Sequence, residues 1–239
     1  MIKKQINQND IKSMQFVDSI ENQYIFGNQP INRLNNKNLQ SNKTSGNKHK
    51  DLETLKTEIS SIKDCKLKEN AKQIIFGGGN IDSKLMVIGE APAEKDDITG
   101  EIFCDEDGIL LEKMFRAIDI KKRDVYLTYV VNFRPPIDRK PSKDEIKRYS
   151  VFLKKHISII NPKIIMLMGS TAMEALTGLN SKISIERGKW KEIIIKNTSY
   201  SVLITFNPSY LIRFPEHKKL SWEDLKNLKK KIKNLSINI

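Results

Sequence analysis

Cysteine is scarce in this sequence, whose 239 residues contain only Cys65 and Cys104. Two cysteines cannot build the disulfide framework of a small secreted domain, and they fit a reducing cytosol. The sequence also lacks an apolar run long enough to span a membrane. Its first ten residues, MIKKQINQND, lack the apolar core of a secretory signal. We therefore expect a cytoplasmic protein that has no membrane partner.

Positive charge is abundant, with 42 lysine and arginine residues against 29 aspartate and glutamate residues and a net charge of +13. Such a balance favours polyanionic partners, because side chains that neutralise phosphates release condensed counterions. The alternative is a simple compositional bias, since the chain is rich in lysine, asparagine and isoleucine throughout.

The composition changes near residue 50. Residues 1–50 are rich in asparagine, glutamine and lysine and have no hydrophobic period, which predicts a disordered extension. Residues 51–239 carry regular apolar patterns and are predicted to form the folded domain. Leu52, Leu55, Ile59 and Ile62 fall on one face of a helix that starts this domain.

Strand patterns and helix patterns alternate along residues 51–239, which predicts an α/β sheet with helices on both faces. The predicted strands are KLMVIGEAP, DVYLTYVV, KIIMLMG, WKEIIIK and YSVLITF, the last two forming a hairpin around Asn197. Ser142 and Glu145 have the spacing of a capping box at the start of a long helix. Ligands of such sheets bind beyond the carboxyl ends of the strands.

Three polar corners follow predicted strands, and each has a plain alternative. GEAPAEKDD (89–97) offers a glycine, a stiff proline and the carboxylate of Glu90, but it also suits an ordinary solvated turn. NFRPPIDRKP (132–141) offers Arg134 and Arg139 as phosphate contacts, or is a surface linker. NPSYLIR (207–213) offers a wedge for a duplex, or a strand end that folds Tyr210 and Leu211 onto the core.

The order and spacing of these motifs resemble the uracil-DNA glycosylase superfamily, most closely its family-four type. The resemblance covers roughly residues 51–235. It rests on the stretches CKLKENAKQIIFGGGNIDSKLMVIGEAPAEKDDITGEIF, DGILLEKMF, RPPIDRKPSKDEI, PKIIMLMGSTAMEAL, ISIERGKW and NPSYLIR. It implies a three-layer α/β/α sandwich with a central, mainly parallel four-stranded sheet.

The resemblance also implies roles for the first corner. Gly89, Ala91 and Pro92 would back the flipped-out uracil and its sugar, with Ala93 replacing the usual last glycine of the motif. Glu90 would position a water molecule or balance the charge on the sugar. An aromatic residue stacks on the uracil in this family, and Phe103 occupies that place.

In the last corner the family has His-Pro-Ser, where this sequence has Asn207, Pro208 and Ser209. By resemblance, Asn207 would donate a hydrogen bond to the base oxygen that gains negative charge, without a titratable proton to offer. The segment after it inserts into DNA in the family. The resemblance assigns this insertion, together with contact to DNA, to four residues of the corner, namely Ser209, Tyr210, Leu211 and Arg213.

Tyr129 departs from the family pattern, in which a Thr-Asn pair ends the second strand and the asparagine reads the uracil edge. Here the pair is Thr128 and Tyr129. The larger side chain either restricts or closes the base pocket, or its hydroxyl replaces the amide as the reader of the base.

Family-four enzymes hold a four-iron, four-sulfur cluster on four cysteines, but only Cys65 occupies such a position here. Phe133 stands where the cysteine before RPP is expected. The cysteine expected in the capped helix is absent, and Tyr149 is the aromatic residue nearest to its place. Cys104 lies in the active-site segment and outside the cluster pattern. Two cysteines cannot supply four thiolates. We predict no metal and no iron–sulfur cluster, with apolar and aromatic packing in its place.

The resemblance predicts a hydrolase of base-excision repair that cleaves the N-glycosidic bond of uracil, or a related deaminated base, in single- or double-stranded DNA. The alternative is a glycosylase-fold protein that binds DNA, or a repair or replication partner, without excising uracil. Either function predicts a nucleoid-associated cytoplasmic protein, and we expect it to be a monomer.

Overall fold

Six strands form one sheet in residues 45–237 and 239, the part of the chain that the computed structural model describes. In chain order the strands are β1 (Gly78–Gly79), β2 (Leu85–Gly89), β3 (Tyr126–Tyr129), β4 (Ile164–Met168), β5 (Trp190–Ile195) and β6 (Thr198–Thr205). The helices are α1 (Ser45–Ser60), α2 (Lys66–Asn70), α3 (Glu94–Thr99), α4 (Glu106–Arg116), α5 (Lys143–Ile160), α6 (Ser170–Thr177), α7 (Ile183–Glu186), α8 (Pro208–Arg213) and α9 (Lys218–Asn234).

The strand order is β1-β3-β2-β4-β6-β5. The four central strands are parallel, as predicted, while β1 and β5 pair antiparallel at the two edges. The sheet therefore has two strands more than the predicted four. The β5–β6 hairpin is confirmed, with Lys196 and Asn197 both at positive φ in its turn. The two glycines of β1 give no strand signal in the sequence, because glycine has little strand propensity.

The central strands are buried on both faces, which explains their continuous apolar sequences. Successive side chains of a strand point to opposite faces of the sheet. Along β4, Ile165 and Leu167 enter one hydrophobic core, whereas Ile164 and Met166 enter the other. One sheet thus separates two cores.

Helices cover both faces of the sheet. The first core is closed by α1, α5 and α6, represented by Ile59, Leu153 and Met173. The second core is closed by α4, α8 and α9, represented by Phe115 and Leu228. This is the predicted three-layer α/β/α arrangement.

The first helix of the domain, α1, buries the predicted face, since Leu52, Leu55 and Ile59 are buried. Ile62 lies just beyond the end of α1 and is half-buried. Residues 45–50, assigned by sequence to the extension, belong to α1. The predicted disorder of residues 1–44 concerns a segment outside the described residues and stays a prediction.

The predicted capping box of α5 is present. Ser142 Oγ accepts a hydrogen bond from the Glu145 backbone N–H at 3.2 Å, and Glu145 Oε2 accepts one from the Ser142 backbone N–H at 2.7 Å. Among the described residues, none of the helices is both long enough and apolar enough to cross a membrane.

Candidate active site

The carboxyl ends of the parallel strands bring the predicted corners to one edge of the sheet. Gly89 ends β2 and lies opposite Tyr129 at the end of β3. Thr205 ends β6 beside Met168 of β4, and Asn207 follows two residues later. Residues far apart in sequence are therefore neighbours at this edge, as expected for parallel strands.

Gly89 lies directly beneath two aromatic rings. A Cβ at this position would stand 2.6 Å from Phe103 Cζ and 2.9 Å from two ring atoms of Tyr129. The rings of Phe103 and Tyr129 contact each other with centroids 4.6 Å apart, and each residue is only 2% exposed. Any side chain at position 89 would force these rings away from the strand.

The hydroxyl of Tyr129 makes its hydrogen bonds within the protein. It donates a hydrogen bond to Asp96 Oδ2 at 2.8 Å and accepts one from the Phe103 backbone N–H at 3.2 Å. Burial, and then the charges of Asp96 and Asp107, raise the pKa of Tyr129 well above its ordinary value. The hydroxyl therefore has partners within the protein and the ring packs beside Phe103, while the role of Tyr129 toward a base stays a prediction.

Asp96 joins the first corner to the segment that carries Phe103. Its carboxylate is fully buried and also accepts hydrogen bonds from the backbone N–H groups of Ala93 and Cys104 at 3.0 and 3.1 Å, and from the Cys104 thiol. Sequence reasoning missed this residue. Its signal was an aspartate three residues after Ala93, at a position where the carboxylate reaches back to the first backbone N–H of a helix.

Glu90 and Asn207 both lie close to the turn between β4 and α6. Glu90 Oε2 accepts a hydrogen bond from Thr171 Oγ1 at 2.5 Å, which orients the half-buried carboxylate. Gly169, two residues before Thr171, faces Asn207, because a Cβ on Gly169 would stand 3.4 Å from Asn207 Cβ. Thr171 was not predicted as a site residue.

The amide of Asn207 has a defined orientation. Its Oδ1 accepts a hydrogen bond from the Ser209 backbone N–H at 3.2 Å and caps α8, in which Pro208 is the first residue. A backbone N–H can only donate, so the oxygen must face it. The Nδ2 group has no hydrogen-bond partner among the described residues and is free to donate to a ligand.

The segment after Asn207 forms a short helix, α8. Leu211 is 1% exposed and packs in the second core, which matches the alternative of a strand end folded onto the core, and its insertion into DNA stays a prediction. Tyr210 is half-buried, with its ring stacked on Phe206 at 5.0 Å. The helical turn directs Leu211 inward, while Arg213 at its end is exposed.

Both arginines of the RPPIDRK loop already have acidic partners. Arg134 makes two hydrogen bonds to Asp138, at 2.7 and 3.1 Å, and lies 3.6 Å from Glu94. Arg139 makes two hydrogen bonds to Glu145, at 2.7 and 2.8 Å. Contact with phosphate would require these guanidinium groups to share or exchange their carboxylates, and that role stays a prediction.

Asp107 is a second acidic residue that sequence reasoning missed. It lies in the first turn of α4, and its Oδ1 accepts a hydrogen bond from the Gly108 backbone N–H at 2.7 Å. Burial, and then the negative charge of Asp96, raise the pKa of Asp107 to about 6. Its only sequence signal was its position four residues after Phe103.

The residues present do not fit an iron–sulfur cluster. Cys65 is buried, and its Sγ lies 3.4 Å from the hydroxyl of Tyr149, in the same core as Phe133. Cys104 is separately hydrogen-bonded to Asp96 and to Thr99. In the described part of the chain, no group of three or more histidine, cysteine, aspartate or glutamate side chains could hold a metal ion.

A cavity of about 930 Å³ lies elsewhere, at the outer edge of the sheet beside β1. It is lined by the two glycines of β1, by Ile102 and by a basic turn at residues 121–123. None of the site residues predicted from the sequence lines this cavity, so its size does not identify it as the place where the polar corners act.

Comparisons with known proteins agree with this geometry. A family model described as the uracil DNA glycosylase superfamily matches residues 76–226. The type-4 uracil-DNA glycosylase of Thermotoga maritima is 33% identical over 184 residues, covering 76% of this chain and 95% of that protein. The type-4 uracil-DNA glycosylase of Sulfurisphaera tokodaii is 36% identical over 186 residues, covering 74% and 83%. A DNA polymerase of Bacillus phage SP01 is 26% identical over 163 residues, covering 68% of this chain and 17% of that protein.

The raised pKa of Asp107 predicts a pH-dependent stability. Between the pKa of an unfolded aspartate, about 4, and about 6, the folded state keeps a proton that the unfolded state releases. Stability therefore falls as the pH rises through this range. We expect Asp107→Asn to raise the free energy of unfolding at pH 7.5 by on the order of 1–3 kcal/mol, and by little below pH ~4.

Thermal and denaturant unfolding at several pH values would measure this difference. Glu106→Gln is the matched control, because Glu106 is an exposed neighbour in the same helical turn. Its loss should not stabilise the protein, since a negative charge is favourable at a helix N-terminus. Parallel pH profiles for the wild type and Asp107→Asn would contradict the assignment.

Proposed function

Because this chain belongs to the uracil-DNA glycosylase superfamily, we propose that it hydrolyses the N-glycosidic bond of uracil, or a related deaminated base, in DNA. The names of the relatives support uracil as the base and DNA as the substrate. The observation that carries the proposal is that an oriented amide donor, Asn207, and an oriented carboxylate, Glu90, both lie close to the turn after β4.

The reaction needs the base outside the duplex, because the glycosidic bond cannot be reached within the base stack. As the C1′–N1 bond breaks, its electron pair moves to the uracil and the sugar becomes cationic. The Nδ2–H of Asn207 donates to the base oxygen that carries the developing negative charge. A neutral amide cannot release a proton, so the uracil leaves as an anion.

Glu90 acts on the sugar side of the bond. Its carboxylate stabilises the cationic sugar and accepts a proton from the water molecule whose oxygen bonds to C1′. The hydrogen bond from Thr171 fixes one carboxylate oxygen and leaves the other for water. The uracil anion then takes up a proton through solvent as Glu90 releases its own, so the products are free uracil and an abasic sugar. We place the protein in the cytoplasm, on the nucleoid, and expect it to act as a monomer.

Variants of Asn207 and Glu90 test this chemistry. Asn207→Asp keeps an oxygen that can cap α8 but removes the donor, so we expect excision to fall by on the order of 100-fold or more with folding retained. We expect Glu90→Gln, which can still accept from Thr171, to lose on the order of 100-fold. Cleavage of uracil-containing single- and double-stranded oligonucleotides, read as alkali-labile sites, measures both.

Asn180→Asp is the control for added charge, because Asn180 is exposed and outside the site. It should leave the excision rate unchanged. An absence of alkali-labile sites from wild-type protein at high enzyme excess, with uracil, hypoxanthine, xanthine and mismatched thymine substrates alike, would rule out the proposed activity.

A second candidate function is DNA binding without excision, and the contact between Phe103 and Tyr129 favours it. Both rings are buried, and the ring of Tyr129 occupies space beside the one predicted to stack on the base. Homology favours excision, whereas this packing favours a site that admits a base poorly. The two functions differ in how the protein responds when the ring of Tyr129 is removed.

We expect Tyr129→Asn to raise the rate of uracil excision about tenfold or more, which corresponds to ~1.4 kcal/mol of activation free energy. Tyr129→Phe is the control, since it keeps the ring and removes only the hydroxyl that binds Asp96. That variant should lose about 1–3 kcal/mol of stability without gaining activity. If folded Tyr129→Asn shows no gain over the wild type, the ring does not limit entry of the base.

We also propose that the protein holds no iron–sulfur cluster. The support is the count of two cysteines and the burial of Cys65 against Tyr149 and Phe133. Protein purified without oxygen should lack bound iron and the visible absorption of such clusters. We expect Tyr149→Ala to cost about 3–5 kcal/mol of stability, because a large buried aromatic is lost. Bound iron with cluster absorption in the anaerobic protein would refute the proposal.

A further inference from the structure

Ile137 lies in the loop between β3 and α5, and its side chain is 95% exposed. A single apolar residue on a surface is ordinary and needs no explanation by itself. Two further observations distinguish this one, namely an unfavourable backbone conformation and a loop that is held on both sides.

The backbone at Ile137 is left-handed, with φ 55° and ψ 32°, and Asp138 follows with φ 51°. β-Branched residues rarely adopt this conformation, because the Cβ approaches the neighbouring carbonyl oxygen. Glycine would occupy the position without this strain. A strained residue persists only where the surrounding structure fixes it, and such residues cluster at functional sites.

The surroundings of Ile137 supply that restraint. Pro135 and Pro136 precede it and fix their own φ angles. Arg134 binds Asp138 on the other side of the tip with two hydrogen bonds, and it also reaches Glu94 of α3. After the tip, the second arginine of the loop makes two hydrogen bonds to Glu145 of α5, and these hold the following part of the chain. The apolar tip is therefore kept in water and cannot fold back onto the core.

The loop lies next to the candidate active site. Lys140 Nζ is 3.4 Å from the hydroxyl of Ser170, which precedes the threonine that binds Glu90. Glu94, which contacts Arg134, is four residues after Glu90. The loop that carries Ile137 thus lies beside the edge of the sheet at which the glycosidic bond would be cleaved.

We propose that Ile137 enters the base stack of duplex DNA when the target base is extruded. An apolar side chain between bases compensates for stacking lost at the vacated position, and isoleucine is among the residues that proteins use as such wedges. Leu211, which the sequence suggested for this task, is buried. The inference rests on the proposed function, since a wedge is needed only where a base leaves the stack.

Excision from duplex and single-stranded DNA separates a wedge from other roles, because a single strand has no stack to fill. We expect Ile137→Ala to lower kcat/KM for uracil in duplex DNA by about tenfold or more and to change it less than about twofold in single-stranded DNA. Ile194→Ala is the matched control, as Ile194 is 78% exposed on the edge strand β5. It should change neither substrate.

Ile137→Gly separates the wedge from the fold. Glycine relieves the left-handed strain, so its melting temperature should be unchanged or higher, while its duplex defect should match that of Ile137→Ala. An equal loss on both DNA substrates, or an unchanged duplex rate in both variants, would overturn the inference.

A binding measurement keeps this test independent of catalysis. Duplex DNA carrying 2-aminopurine beside the uracil should become more fluorescent when wild-type protein is bound, and less so with Ile137→Ala at equal occupancy. If no substrate is cleaved but this difference is present, the proposed excision fails and the wedge stands. If wild type and variant give the same fluorescence, the wedge fails, whatever the excision rate.

Discussion

Parallel hydrogen bonding among the four central strands is the constraint on which the candidate site depends. It places the ends of β2, β3, β4 and β6 at one edge, so that corners separated by more than a hundred residues meet there. The turn after β4 then contacts Glu90 through Thr171 and Asn207 through Gly169. A one-residue slip of β6 would turn its buried side chains to the other face and move Asn207 away from that turn.

The buried carboxylate of Asp96 defines a second part of the site. It binds the hydroxyl of Tyr129 and the backbone that carries Phe103, so the two rings and the first corner act as one unit. Gly89 permits this arrangement because it has no side chain beneath the rings. The same unit packs the ring of Tyr129 against Phe103, the residue predicted to stack on a base, so we expect Tyr129 to limit what the site admits.

In two regions, contacts within the protein occupy side chains that could otherwise bind a metal cluster or phosphate. Cys65, Tyr149 and Phe133 lie in one apolar core, and we propose that their packing replaces a metal cluster there. In the RPPIDRK loop, arginines that would suit phosphate are paired with carboxylates and stiffen the loop. These ion pairs brace the loop that carries Ile137.

The sequence by itself determined the architecture and the order of the corners. Periodicity, the capping box at Ser142 and the turn at Asn197 are local properties, because the hydrogen bonds and buried faces that they require lie within a few residues. Only the tertiary structure decided which side chains meet. The helical turn after Asn207 directs Leu211 into the core, the hydroxyl of Tyr129 finds Asp96, and braces from two helices hold Ile137 in a left-handed conformation. These outcomes depend on contacts between segments distant in sequence, and no local pattern encodes such contacts.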